Sequence, residues 1–153
     1  MSLLIGIEYC KLDSNGRFKL PIAIKKQLEG DDCRFVIRPS IYANCLELWT
    51  YASFEAEIAQ LQKELNPYSI EDRKMLRVLS AGNIVEMDSS DRLVIPGEQR
   101  ECIKNSKELV LLSTGKFMEI WDRDTYAELN KATTGYAEKV DERLGRISNA
   151  AEL

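Results

Sequence analysis

Residues 10–21 read Cys-Lys-Leu-Asp-Ser-Asn-Gly-Arg-Phe-Lys-Leu-Pro, and residues 85–96 read Val-Glu-Met-Asp-Ser-Ser-Asp-Arg-Leu-Val-Ile-Pro. Asp13/Asp88, Ser14/Ser89, Arg17/Arg92 and Pro21/Pro96 are identical, while Phe18/Leu93 and Leu20/Ile95 keep their apolar character. Asn15/Ser90, Gly16/Asp91 and Lys19/Val94 differ. The period of 75 residues is too long for one step of a solenoid, so each copy reads as a small domain.

The likeness extends past the motif. Arg34-Phe35-Val36-Ile37 aligns with Leu109-Val110-Leu111-Leu112 at the same offset. Leu46-Glu47-Leu48-Trp49 aligns with Met118-Glu119-Ile120-Trp121 at an offset of 72. The change of offset puts three extra residues of the first copy in Arg38–Cys45, a Pro/Ser/Asn-containing turn region where insertion is cheap. A unit of about 45–50 residues has a marginal core by itself. Each copy is therefore expected to bury its strands against another copy, within the chain or between chains.

Each copy reads as strand, turn, strand, short helix, strand, strand. Residues 3–12 alternate, with Ile5, Ile7, Tyr9 and Lys11 on one side and Glu8, Cys10 and Leu12 on the other. Asp13-Ser14-Asn15-Gly16 is a hairpin-turn signal, and Pro21 ends the returning strand and opens a helix over 22–28. Residues 33–38 and 45–50 complete the first copy, and 84–88, 92–96, 98–104, 108–113 and 117–122 repeat the order. The domains read as 3–52, a helical connector 53–81, 82–125 and a helical tail 126–153. In the connector Phe54, Ile58, Leu61 and Leu65 make one helical face, Pro67 stops it, and Ser69 caps a second helix. Leu76 and Leu79 pack that second helix, while Arg73 and Arg77 share a face. In the tail Asp122 or Asp124 caps, and Tyr136, Val140, Leu144 and Ile147 form a stripe read as packing on its own domain or on a neighbouring subunit.

Composition excludes several chemistries. The 153 residues contain no His, and Cys10, Cys33, Cys45 and Cys102 have no C-x-x-C spacing, so no metal, cofactor or disulfide framework is expected. The four thiols read as buried and reduced. Without His the commonest general base is missing, and no phosphate-binding glycine motif occurs; the chain is not read as an enzyme and no small-molecule substrate is expected. Glu47 and Glu119 read as the polar side of half-buried strands, and Trp49 and Trp121 as core or interface anchors. The lack of a long apolar run leads to the expectation of a soluble, cytoplasmic protein with no membrane partner.

Net charge is −4, but it is unevenly placed. Residues 8–30 carry Lys11, Arg17, Lys19, Lys25 and Lys26 against three carboxylates. Residues 83–105 carry Arg92, Arg100 and Lys104 against five. Local charge governs attraction to phosphate, so the first copy is the better candidate for nucleic acid. A turn needs Gly, Asn or Asp, but nothing about turning needs Arg; its recurrence at 17 and 92 marks a presented group, with Asp13 and Asp88 fixing the loops.

The duplicated Asp-Ser-x-x-Arg turn followed by apolar-x-apolar-Pro resembles the AbrB-type swapped-hairpin DNA-binding domain. Two copies joined by a helical pair containing Glu71-Asp72-Arg73-x-x-x-Arg77 resemble the MraZ family over about Ile5 to Tyr126. The resemblance implies an α+β fold of two tandem β-barrel-type swapped-hairpin units. It implies a regulator, read as a repressor, that binds promoter direct repeats upstream of the division and cell-wall gene cluster, associated with the nucleoid. It also implies a ring-shaped homo-oligomer in which each copy packs with the other copy of its neighbour. The DNA-binding positions it suggests are Arg17, Lys19, Lys11, Asn15, Gly16 and Arg92, with Asp13, Ser14 and Asp88 organising the loops. Asn15 stands where the family loop has Lys, and Asp91 where it has Gly, setting a carboxylate beside Arg92. An oligomeric scaffold or antitoxin-like interaction module without DNA binding is the second reading.

Overall fold

Each copy's first turn closes on itself, but its strands do not. A computed structural model describes residues 3–28, 30–131 and 135–145. The first copy forms β1 (Ile7–Lys11), β2 (Arg17–Lys19), α1 (Ile22–Lys25), β3 (Arg34–Pro39) and β4 (Leu46–Thr50). The second forms β5 (Asn83–Glu86), β6 (Arg92–Val94), a 3-10 helix (Gly97–Ile103), β7 (Glu108–Ser113) and β8 (Met118–Asp122). β1 and β2 meet only at the tip, through the bridge Leu12–Phe18. Beyond the tip, β1 pairs with β7, and β2 pairs with β6. The partners come from the other copy of the same chain.

All pairings are antiparallel, in a six-stranded sheet of order β1-β7-β8-β4-β3-β5 and a separate ribbon β2-β6. The β-barrel-type closure expected from the family resemblance is not formed: the sheet is open, with β1 and β5 at its edges. A physical reason lies in β2 and β6. They are three residues long, satisfy each other, and are followed closely by Pro21 and Pro96, which have no N–H to extend a ladder. Glu47 faces Glu119 across β4–β8, and Phe18 faces Leu93 across β2–β6. Each is a residue opposite its own repeat equivalent, so these pairs mark the two-fold axis relating the copies.

Strand pairing also corrects the alignment. Val36 faces Trp49 and Val110 faces Trp121, so Val36 corresponds to Val110 and Arg38 to Leu112. The offset is 74 here, and one of the three extra residues therefore precedes β3 instead of lying in Arg38–Cys45.

Phe18, Leu20, Ile24, Leu93, Ile95 and Ile103 are buried with Ile37, Leu46, Leu109, Leu111, Met118 and Ile120 in one core. Burying side chains of this size removes apolar area at about 25 cal/mol per Å², which neither copy supplies alone. A second, smaller cluster holds Val36, Trp49 and Phe54, with Phe117 stacked on Trp49 at 4.5 Å.

The connector is α2 (Tyr51–Glu64) and α3 (Ile70–Leu79). Thr50 Oγ1 accepts the N–H of Ser53, and Ser69 Oγ that of Asp72, so both helices open on hydroxyl caps. Phe54 is buried and Ile58, Leu61 and Leu65 are half-buried, as the stripe required. Arg73 turns back to donate to Pro67 O at 2.8 Å. The tail helices α4 (Arg123–Lys131) and α5 (Tyr136–Leu144) follow; residues up to Arg123 and those from Asp124 on form separate compact units. Helix α4 begins directly after Asp122, one of the two expected caps. In the tail stripe Tyr136 and Leu144 are exposed and Val140 half-buried, so it does not pack on its own domain, while Ile147 lies outside the described residues. Among the described residues no helix is long and apolar enough to cross a membrane.

Two expectations need correction. Cys33 is exposed, because it stands in the turn before β3; Cys45 is buried and Cys10 and Cys102 are half-buried. Burial pushes the Cys10 and Cys45 thiols up to about 12. Glu47, expected on a polar strand side, is buried. The neighbouring strand makes this tolerable: Arg38 Nε donates to Glu47 Oε1 at 2.7 Å and Arg38 Nη1 donates to Leu79 O. Trp49 Nε1 adds a bond to the same Glu47 oxygen at 3.1 Å. At the equivalent place Trp121 bonds Glu119, but Leu112 replaces the arginine and Glu119 is half-buried. Removing one partner of a buried ion pair typically costs about 3–5 kcal/mol. Glu47→Ala is expected to lower stability by about that amount in urea denaturation, and Glu119→Ala by about 1 kcal/mol, the worth of one hydrogen bond.

Candidate nucleic-acid interface

Asp13 Oδ1 accepts the N–H groups of Asn15 and Arg17, both at 2.9 Å, and Asp88 Oδ1 accepts those of Ser90 at 2.8 Å and Arg92 at 3.0 Å. The tips close by matching backbone bonds, Asp13 N to Arg17 O and Asp88 N to Arg92 O. Gly16 and Asp91 are left-handed, at φ 77 and 61, whereas Asn15 is not among the positive-φ residues. The turn therefore needs one left-handed residue, at the fourth place, and Asp is among the few side chains that take that conformation readily. Asp91 thus takes the place that Gly16 holds in the first copy without changing the loop.

The loops then engage each other. Arg92 Nη1 donates to Asp13 Oδ2 at 3.2 Å, and Arg17 Nε lies 3.8 Å from Asp88 Oδ2. Each turn aspartate uses one oxygen to shape its own loop and the other to face the arginine of the opposite copy. Leu20 N bonds Asp91 O and Ile95 N bonds Gly16 O, both at 2.8 Å, repeating the cross-connection in the backbone. The Asp91 carboxylate, expected beside Arg92, is instead held by Lys25 Nζ at 2.8 Å.

Alternation in the ribbon sets what solvent meets. Phe18 and Leu93 point into the core, so Arg17, Lys19 and Arg92 stand on the outer face, with Val94 half-buried beside them. Lys19 lies directly opposite Arg92. Like charges in that position destabilise a strand pair, and Lys19 has no ion pair among the described residues. Folding accounts for Arg92, which pairs with Asp13, but gives no reason for Lys19 opposite it. Ser14 and Asn15 form the exposed tip beside Arg17, and Gly16 is buried. Lys11 sits apart from this set in its contacts: it is 3.9 Å from Glu108 at the end of β1.

Sequence reasoning passed over two cations that the fold brings to the loops. They are Lys25 on Asp91, and Arg100, whose guanidinium lies where a Cβ of Gly16 would be. The repeat carried the signal: positions 25 and 100 are equivalent, and both are basic. Among the described residues no group of three or more His, Cys, Asp or Glu side chains is placed to hold a metal ion.

The chain matches known proteins over nearly its whole length. A family profile described as "MraZ protein, putative antitoxin-like" matches residues 79–147. A protein of Flavobacterium psychrophilum named transcriptional regulator MraZ is 31% identical over 97% of this chain and 96% of its own length. One of the same name from Christiangramia forsetii is 34% identical over 93% of each chain, and one from Dictyoglomus thermophilum 30% identical over 99% and 98%. These relatives are regulators of transcription, not members of an enzyme class. The chain belongs to the MraZ family.

Backbone N–H bonds, foremost that of Arg17 to Asp13 and that of Arg92 to Asp88, hold both carboxyls below the usual aspartate range, with further help from the facing arginines. Because the folded-state pKa is lowered, the folded protein binds fewer protons than the unfolded chain in acid. The stability from these loops is complete above the unfolded value of about 3.9 and is lost as pH falls through the lower folded value. The melting temperature is expected to drop across that window, and Asp13→Asn/Asp88→Asn to lower it at neutral pH while flattening the acid decline. Asp32, held at about 2 by Arg34, titrates in the same window and leaves part of the decline in place.

Proposed function

We propose that this protein is a DNA-binding transcriptional regulator that meets double-stranded DNA with the outer face of the β2–β6 ribbon. The carrying observation is the like-charged pair Lys19–Arg92, flanked by Arg17, on an exposed face. A polyanion would relieve that repulsion, and a guanidinium fork suits phosphate oxygens and guanine edges. Arg17 and Lys19 are the principal contacts, because the first copy has Lys19 where the second has Val94. Arg92, Lys11 and Asn15 assist, the buried Gly16 supplies the left-handed turn, and Asp13, Ser14 and Asp88 hold the loops. Both copies are taken as AbrB-like swapped-hairpin units within 3–52 and 82–125, with 53–81 connecting them and 126–153 as tail.

The protein acts as a ring-shaped homo-oligomer on direct repeats in the promoter of the division and cell-wall gene cluster, as a repressor in the cytoplasm at the nucleoid. Supporting association, the edge strand β1 and its approach expose Leu3, Ile5, Ile7 and Tyr9, and edge β5 exposes Ile84. Weak contacts repeated around a ring add by avidity. With a labelled promoter fragment carrying the repeats, Arg17→Ala is expected to weaken binding, followed by anisotropy, by roughly tenfold or more per site, and Arg92→Ala by less. Equal binding by Arg17→Ala and the parent would remove this assignment. Binding that ignores salt would instead favour a protein-interaction module.

A further inference from the structure

Among the differences between the two loops, Gly16 against Asp91 decides whether the facing cation is neutralised. At the second loop Lys25, from the first copy, is neutralised by Asp91 at 2.8 Å. At the first loop the equivalent cation is Arg100, from the second copy, and the residue facing it is Gly16, which has no side chain to pair. A Cβ at Gly16 would overlap the Arg100 guanidinium, so the group lies directly on the loop backbone. Arg100 is half-buried and tied at its root, where Nε donates to Ile95 O at 3.0 Å. Its terminal nitrogens make no hydrogen bond or ion pair among the described residues. Arg17, Arg92 and Lys25, by contrast, each face a carboxylate.

A guanidinium that is partly desolvated, oriented by one bond and left with free donors has its ordering cost already met and its charge uncompensated. The donor fork matches two oxygens of a phosphate. We propose that Arg100 contacts a DNA phosphate at the first loop, and that the Lys25–Asp91 pair is its neutralised counterpart at the second. The first loop's interface is thus built from both copies, and the two-fold frame presents one charged and one neutral tip. The inference rests on the DNA-binding reading above.

The test is anisotropy of the same labelled promoter fragment over a range of salt, with parent, Arg100→Met, Arg100→Lys, Asp91→Gly and Arg17→Ala proteins. Loss of one phosphate contact per subunit should make the log–log salt slope shallower by about 0.9 for each subunit engaged on the fragment. Arg100→Met is expected to show this with roughly tenfold weaker binding at low salt, and Arg100→Lys to keep the parent slope. Asp91→Gly keeps a left-handed residue and frees Lys25, so binding should tighten and the slope steepen by about 0.9 for each subunit engaged. An unchanged slope in Arg100→Met overturns the phosphate contact. An unchanged slope in Asp91→Gly overturns the role of the neutralised pair, and its tolerance of the left-handed turn keeps that arm clear of misfolding. If Arg17→Ala loses binding while both these variants match the parent, only this inference fails. If the parent shows no salt-dependent binding to the duplex, the DNA-binding reading fails and takes the inference with it.

Discussion

Asp13 and Asp88 each divide their two oxygens between two copies of the repeat, and the ribbon face depends on that division. One oxygen gathers the N–H groups two and four residues ahead and so fixes where the arginine leaves the loop. The other faces the arginine of the opposite loop. Neither loop can be set without the other. Beneath them Phe18 and Leu93 close the ribbon onto the shared core, tying the same cross-connection to apolar burial.

The second crossing point, Glu47 opposite Glu119, answers the same problem of symmetry differently. Two carboxylates meet on the axis of the main sheet, and each takes a bond from the tryptophan two residues on. Only Glu47 is buried, and only Glu47 has an arginine, because β3 presents Arg38 where β7 presents Leu112. That arginine also reaches Leu79 O at the end of α3 and lies about equally far from the Trp49 and Phe54 rings, at 5.2 and 5.3 Å. The connector is thereby fastened to one copy. Chain duplication supplied the frame, and point differences at 38/112, 25/100, 16/91 and 19/94 made its halves unequal.

Much of this was legible beforehand. The repeat, its turn residues, the order of strands, the connector's apolar face and the Ser69 cap are local patterns of spacing and residue type. So was the presentation of Arg17 and Arg92, since a turn has no need of arginine. The pairing of those arginines with the aspartates of the opposite loops was not legible, because Asp13 is four residues from Arg17 and 79 from Arg92. The Lys25–Asp91 bond was hidden for the same reason, and the sequence neighbour Arg92 stood in its place. Glu47 looked like the wet side of a strand because a strand's alternation does not reveal what covers each face.

Sequence by itself determined the local conformations: a left-handed fourth turn residue, strands ended at Pro21 and Pro96, helices opened at Thr50 and Ser69. These follow from sterics and from hydrogen bonds made within a few residues. Tertiary structure decided the partners. A unit too small to bury its own strands takes them from its copy, and that exchange set the open sheet, the crossed Asp–Arg pairs and Arg100 upon Gly16. The charge each loop shows to solvent was therefore settled by residues about 75 positions away.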